Sequence, residues 1–103
     1  MDNGRYYIGT DLKFKITLTA EGFDQGRDNY EIDFYCGDGH KHFTQDDVVK
    51  GTDGNFYIFI PTSDFTPGIT KMVITAYIPD RDISGGVRKE IESIILGPLK
   101  PAI

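Results

Sequence analysis

The chain has no tryptophan, a single cysteine, two histidines and only 11 lysines and arginines among its 103 residues. The lone thiol, Cys36, cannot close an intramolecular disulfide, so a reducing compartment is permitted. Acidic residues number 16 and leave a net charge of −5. A protein that reads nucleic acid needs clustered positive charge to displace counterions from phosphates. The nearest approaches to a cluster, Lys13 with Lys15 and Arg88 with Lys89, are diluted by neighbouring acids. Long apolar runs are missing as well. None approaches the roughly 20 residues that cross a bilayer, and Met1-Asp2-Asn3-Gly4-Arg5 opens no signal-peptide core. No nucleic-acid partner and no membrane insertion are expected, and the expected location is the cytoplasm of the producing cell. The chain does carry 39% hydrophobic residues, with 7 Phe and 6 Tyr, which is enough for one core and fits a single domain over residues 1–103.

The hydrophobic residues recur with period 2. Leu12, Phe14, Ile16, Leu18 and Ala20 alternate with Lys13, Lys15, Thr17 and Thr19, the pattern of a half-buried strand whose successive side chains leave opposite faces. A turn-rich stretch follows from Glu21 to Asn29. Tyr30, Ile32, Phe34 and Cys36 then share one face, Glu31, Asp33 and Tyr35 the other, and Gly37-Asp38-Gly39 supplies a hairpin turn. His40 to Phe43 reads as the returning strand, and Thr44 with Asp47 has the spacing of a capping box around one helical turn. Phe56 to Ile60 is a strand closed by Pro61, and Thr62 to Gly68 is a crossing loop. Thr70 to Ile78 alternates again, with Met72, Ile74, Ala76 and Ile78 inward, before Pro79 ends it. Asp80 to Gly86 is a polar loop, and Val87 to Leu96 forms a last strand that Gly97-Pro98 stops. The pattern predicts an all-β fold of six or seven strands, two antiparallel sheets packed face to face over a core about 10 Å thick, with at most one helical turn. The core spans about residues 6–96, and both tails are free to extend.

Reactive side chains are densest in Cys36-Gly37-Asp38-Gly39-His40-Lys41-His42. His40 and His42 can face the same way on a strand, and with a thiol and a carboxylate nearby they are weak candidates for a metal site. Gly37 and Gly39 mark a reversal, however, and the alternation turns Cys36 inward. Asp80, Asp82 and Ser84 alternate like the oxygens of a calcium loop but lack its glycine and its terminal glutamate. No nucleophile elbow, triad or phosphate-binding glycine pattern is present. The expectation is a protein without catalytic residues and without a cofactor. Aromatic residues give the better lead. By the alternation Tyr35, Tyr57, Phe59 and Tyr77 point outward and Val73 joins them. Outward rings in strands belong to edge pairs, are covered by a loop, or form a protein contact.

The run Ile8-Gly9-Thr10-Asp11-Leu12-Lys13-Phe14-Lys15-Ile16-Thr17-Leu18, then Gly54-Asn55-Phe56-Tyr57, Ser63-Asp64-Phe65 and Gly68 to Ile78 before a charged final strand, resembles the small immunoglobulin-like domains of phage tail and baseplate proteins. It is similar to the amino-terminal domain of baseplate upper proteins, over about Tyr6 to Leu96. The resemblance implies an immunoglobulin-like β-sandwich with an assembly or adhesion role, a protein partner or self-association, and a place in a virion. It carries over no catalytic residue. The alternative is a carbohydrate-binding sandwich with Tyr35, Tyr57 and Tyr77 as a stacking platform, and a third reading is a metal-dependent enzyme at His40 and His42.

Overall fold

The computed structural model describes residues 6–101. Eight strands run in the order β1 Tyr6–Tyr7, β2 Asp11–Ile16, β3 Tyr30–Cys36, β4 Gly39–Thr44, β5 Val49–Lys50, β6 Phe56–Pro61, β7 Gly68–Pro79 and β8 Val87–Lys100. A single 3-10 turn, Gln45–Asp47, is the helical element among the described residues. It starts where the capping box predicts. Thr44 Oγ1 accepts from the Asp46 amide at 3.3 Å, and the Asp47 carboxylate accepts from the Thr44 amide at 2.9 Å. The strands form two sheets, one of five in the order β1-β8-β7-β3-β4 and one of three in the order β2-β6-β5.

One hydrophobic core joins the sheets. Tyr30, Ile32, Phe34 and Cys36 of β3 stand directly opposite Ala76, Ile74, Met72 and Thr70 of β7, and all eight are buried, as the alternation requires. Leu12 and Ile16 of β2 and Ile58 and Ile60 of β6 close the core from the other sheet. The Phe34 ring lies 5.4 Å from Phe65 and 6.4 Å from Phe14, tying loop and both sheets together. The β3–β4 hairpin turns at Gly37, whose φ of 55° with a following Asp38 that stays out of the left-handed region fits a Gly-X turn of type II′. Thr62 is buried yet satisfied: its hydroxyl donates to the Thr10 carbonyl at 2.7 Å and accepts from the Gly9 amide at 3.0 Å.

The structure departs from the sequence pattern in four places. First, β2 ends at Ile16 rather than Ala20, because the Gln25 side chain occupies the backbone there, donating to the Ile16 carbonyl at 2.8 Å and accepting from the Leu18 amide at 3.1 Å. Leu18 and Ala20 nevertheless pack on the core. Second, Gly97-Pro98 does not stop the last strand. A bulge between Thr70 and Lys71 in the β7–β8 ladder absorbs it, Gly97 adopts φ of 121°, and Pro98 sits opposite Ile69. Third, Tyr6 and Tyr7 are a strand, pairing with Leu99 and Lys100 in parallel, so the sheets are not wholly antiparallel and those parts of the two tails are not free. The remaining tail residues, 1–5 and 102–103, lie outside the described residues. Fourth, the five-stranded sheet curls into a half-barrel instead of lying flat over its partner.

Candidate interaction surface

The side of the five-stranded sheet away from the core is one continuous surface whose composition changes across its width. Opposite residues of neighbouring strands share a face, so the ladders place His40, Tyr35, Lys71 and Ile95 in one row, His42, Asp33, Val73 and Ser93 in the next, and Thr44, Glu31, Thr75 and Ile91 in a third. Tyr77 and Lys89 follow, and then Pro79 and Val87.

The β4–β3 half is polar and internally bonded. His40 Nε2 and His42 Nδ1 each lie 2.8 Å from Asp33 Oδ1, His42 Nε2 lies 3.4 Å from Glu31 Oε1, and the Tyr77 hydroxyl donates to the other Glu31 oxygen. Burial works against the Asp33 charge, but the hydrogen bonds from His42 and His40 outweigh it and hold the carboxyl below its ordinary range. The hydrogen bond to Asp33, aided by the charges of Asp33 and Glu31, raises the His42 imidazole. The Tyr35 ring is covered from both sides, stacked on His40 at 4.5 Å and 13° with Lys71 Nζ 5.0 Å from its centroid. Beside Glu31 and Tyr77 a shallow cleft of about 430 Å³ opens toward Gln45 and Asp46.

The pairing of His40 with His42 on one strand face is thus observed, and Asp33 is the group they converge on. Cys36 is not with them. Its thiol is buried in the core on the opposite face of the sheet and donates to the Thr66 carbonyl at 3.2 Å. Among the described residues no group of three or more His, Cys, Asp and Glu side chains is placed to hold a metal ion. Asp80 is likewise a structural group: it accepts from the Asp82 amide and from Arg88, both at 2.9 Å, and so pins the β7–β8 connection.

The five outward residues of the sequence pattern do not form one patch. Tyr35, Val73 and Tyr77 belong to the five-stranded sheet, whereas Tyr57 and Phe59 lie on the outer face of the three-stranded sheet, opposite Lys15 and Lys13. Tyr57 is engaged there, with its hydroxyl bonded to Asp53 and Lys13 Nζ 4.4 Å above its ring. Phe59 is 49% exposed. The three tyrosines therefore do not make a common stacking platform, since Tyr57 is on a different sheet and the Tyr35 ring is already sandwiched.

The largest group of exposed apolar side chains on one strand is elsewhere, on β8. Arg88, Glu90 and Glu92 share a face, as their spacing indicates, but it is the core-side face, opposite Ile78, Ala76 and Ile74. Glu90 and Glu92 are exposed there, because the three-stranded sheet does not cover this strand. The outward face instead presents Val87, Ile91 and Ile95, with Ile91 62% and Ile95 73% exposed, and Ile69 of β7 beside them. The edge is open too. Among the described residues β8 meets β1 only at Leu99 and Lys100, so the backbone groups from Val87 to Ile95 that point away from β7 have no strand partner. The four-residue spacing of Val87, Ile91 and Ile95 is a signal that could have found this stripe in the sequence. The charges between them made the strand read as polar.

No family model, curated protein or solved structure matches the chain.

Proposed function

We propose that the chain is a non-catalytic protein-interaction module with an immunoglobulin-like arrangement, and that β8 is its contact element. The observation that carries this reading is the coincidence of three exposed branched side chains, Val87, Ile91 and Ile95, with a strand edge that is unpaired among the described residues. Exposed apolar side chains aligned along one strand and an open edge both favour association with another chain. The strand order supports the immunoglobulin-like part. With β2, β6 and β5 taken as strands B, E and D, and β4, β3, β7 and β8 as C′, C, F and G, the two sheets follow the B-E-D and C-F-G neighbour order of immunoglobulin domains, with a C′ strand added beside C as in the variable type. The first strand departs by pairing with the last. The core of this domain also carries Tyr30 and Phe34 on β3, the strand on which immunoglobulin domains place a tryptophan, and with a single cysteine it has no disulfide between strands B and F. A phage or prophage tail or baseplate is the setting that the sequence resemblance supports, and a virion is then the site of action.

The test is a photo-crosslinking residue in place of Ile95 in the protein expressed in its own host, with the same residue at exposed Thr52 as control. A protein adduct specific to position 95, lost in an Ile91→Ser variant, is the expected result. Absence of a specific adduct overturns the reading.

A further inference from the structure

We infer that β8 pairs antiparallel with β8 of a second copy of this chain, about a two-fold axis through Ile91. The inference rests on the reading of β8 as the contact element and names its partner.

The geometry of edge pairing restricts the choices. A two-fold axis normal to a sheet keeps each face on its own side, so a strand can pair with its copy only when the numbers of opposed residues have an even sum. Between Val87 and Ile95 the β7–β8 ladder runs without a bulge, and β8 itself carries no proline there, which leaves a regular edge of about 30 Å at the usual rise per residue. Centred on Ile91, this edge brings Ile91 opposite Ile91 and Val87 opposite Ile95 twice, with Lys89 opposite Ser93 between them, so every outward apolar side chain of one copy meets an apolar side chain of the other. Centred on Glu90, it brings Lys89 opposite Ile91 and Glu90 opposite Glu90. Centred on Glu92, it brings Ile95 opposite Lys89. The spacing of the stripe is symmetric about Ile91, which an isologous interface requires and a contact with an unrelated strand does not.

The other edges lack these properties. β4 carries His40, Lys41 and His42 and is six residues long, β5 is two residues long, and β2 presents Lys13 and Lys15. The chosen register has one unfavourable feature on the core-side face, where Glu90 of each copy stands opposite Glu92 of the other. Arg88 lies 3.1 Å from Glu90 in its own chain and offsets part of that repulsion. The acid pair also makes the register testable by charge.

Sedimentation of the whole chain over micromolar to millimolar concentration reads the association directly. The wild type forms dimers, and Glu92→Lys sets an ammonium group opposite Glu90 twice per dimer and tightens dissociation about tenfold. Ile91→Lys places two ammonium groups on the axis and leaves a monomer with the wild-type melting temperature. Ile91→Cys forms a disulfide dimer on mild oxidation, because directly opposed residues have Cα atoms about 4.5–5.5 Å apart, within disulfide range. Glu90→Cys does not. A wild type that is monomeric throughout, a dimer that survives Ile91→Lys, or one that Glu92→Lys weakens while Glu90→Cys crosslinks overturns the inference. If the wild type is monomeric but the Ile95 photo-crosslinker still captures a different protein, the self-pairing fails and β8 remains a contact element. If neither occurs, both readings fail.

Discussion

At the scale of single residues the most connected group is the chain His40, Asp33, His42, Glu31 and Tyr77 on the outer sheet face. Its consequence is a pH dependence with a definite sign. The His42 imidazole is raised above its ordinary 6.5 by Asp33, so its contribution to stability is fully present below that value and is lost as pH rises through the higher folded value. Asp33 is lowered, so its share is present above the ordinary carboxyl range and disappears as acid titrates the folded group. The melting temperature of the wild type is expected to fall more steeply than that of His42→Gln between about pH 6 and about pH 8. Parallel slopes for the two proteins contradict this assignment. A second expectation concerns Asp53, held at about 2 by the Tyr57 hydroxyl first and by Asn55 second. Tyr57→Phe removes the largest cause, and carboxyl titration followed by NMR is expected to move toward the ordinary 3.8. That the two histidines share a face was legible from their spacing in the sequence. That Asp33 lies between them was not, because it depends on the register of β3 against β4.

At the scale of elements the sequence was most informative where strands are buried on one face only. β3 and β7 alternate cleanly because one side of each lies on the core and the other in water, so period 2 appears directly in residue type. β8 behaves differently. Its two faces are both exposed over most of its length, so charge and hydrophobicity no longer report inside and outside. Its far end is the exception. Leu99 is 2% exposed and belongs to the core, past the Gly97-Pro98 pair that reads as a terminator. Leu99→Ala is expected to cost about 2–5 kcal/mol in urea unfolding, the usual range for a buried leucine. A change below about 0.5 kcal/mol is what an ordinary surface position gives, and it would make this end a free tail after all. Gly39 supplies a contrasting test in the hairpin. Its backbone does not need a positive φ, but a methyl group there runs into the Phe65 ring. Gly39→Ala is therefore expected to destabilise by about 1–3 kcal/mol through overpacking. Phe65→Leu in the same chain is expected to recover part of that loss, whereas a backbone cause would leave it unrecovered.

At the scale of the whole molecule, the amino-acid sequence determined the class of fold, the turns and most of the core. Alternation needs only the chain itself and water on one side, and glycine, proline and capping residues act within a few positions of where they stand. Tertiary structure alone decided three things. It assigned Tyr57 and Phe59 to one sheet and Tyr35, Val73 and Tyr77 to the other, because a shared outward direction says nothing about which sheet a strand joins. It carried the last strand through Gly97-Pro98 to meet Tyr6 and Tyr7, because a bulge is a property of two strands and not of one. It left β8 exposed on both faces over most of Val87 to Ile95, because a three-stranded sheet is too narrow to cover a five-stranded one. Each depends on contacts between residues far apart in sequence, and local pattern carries no record of such contacts.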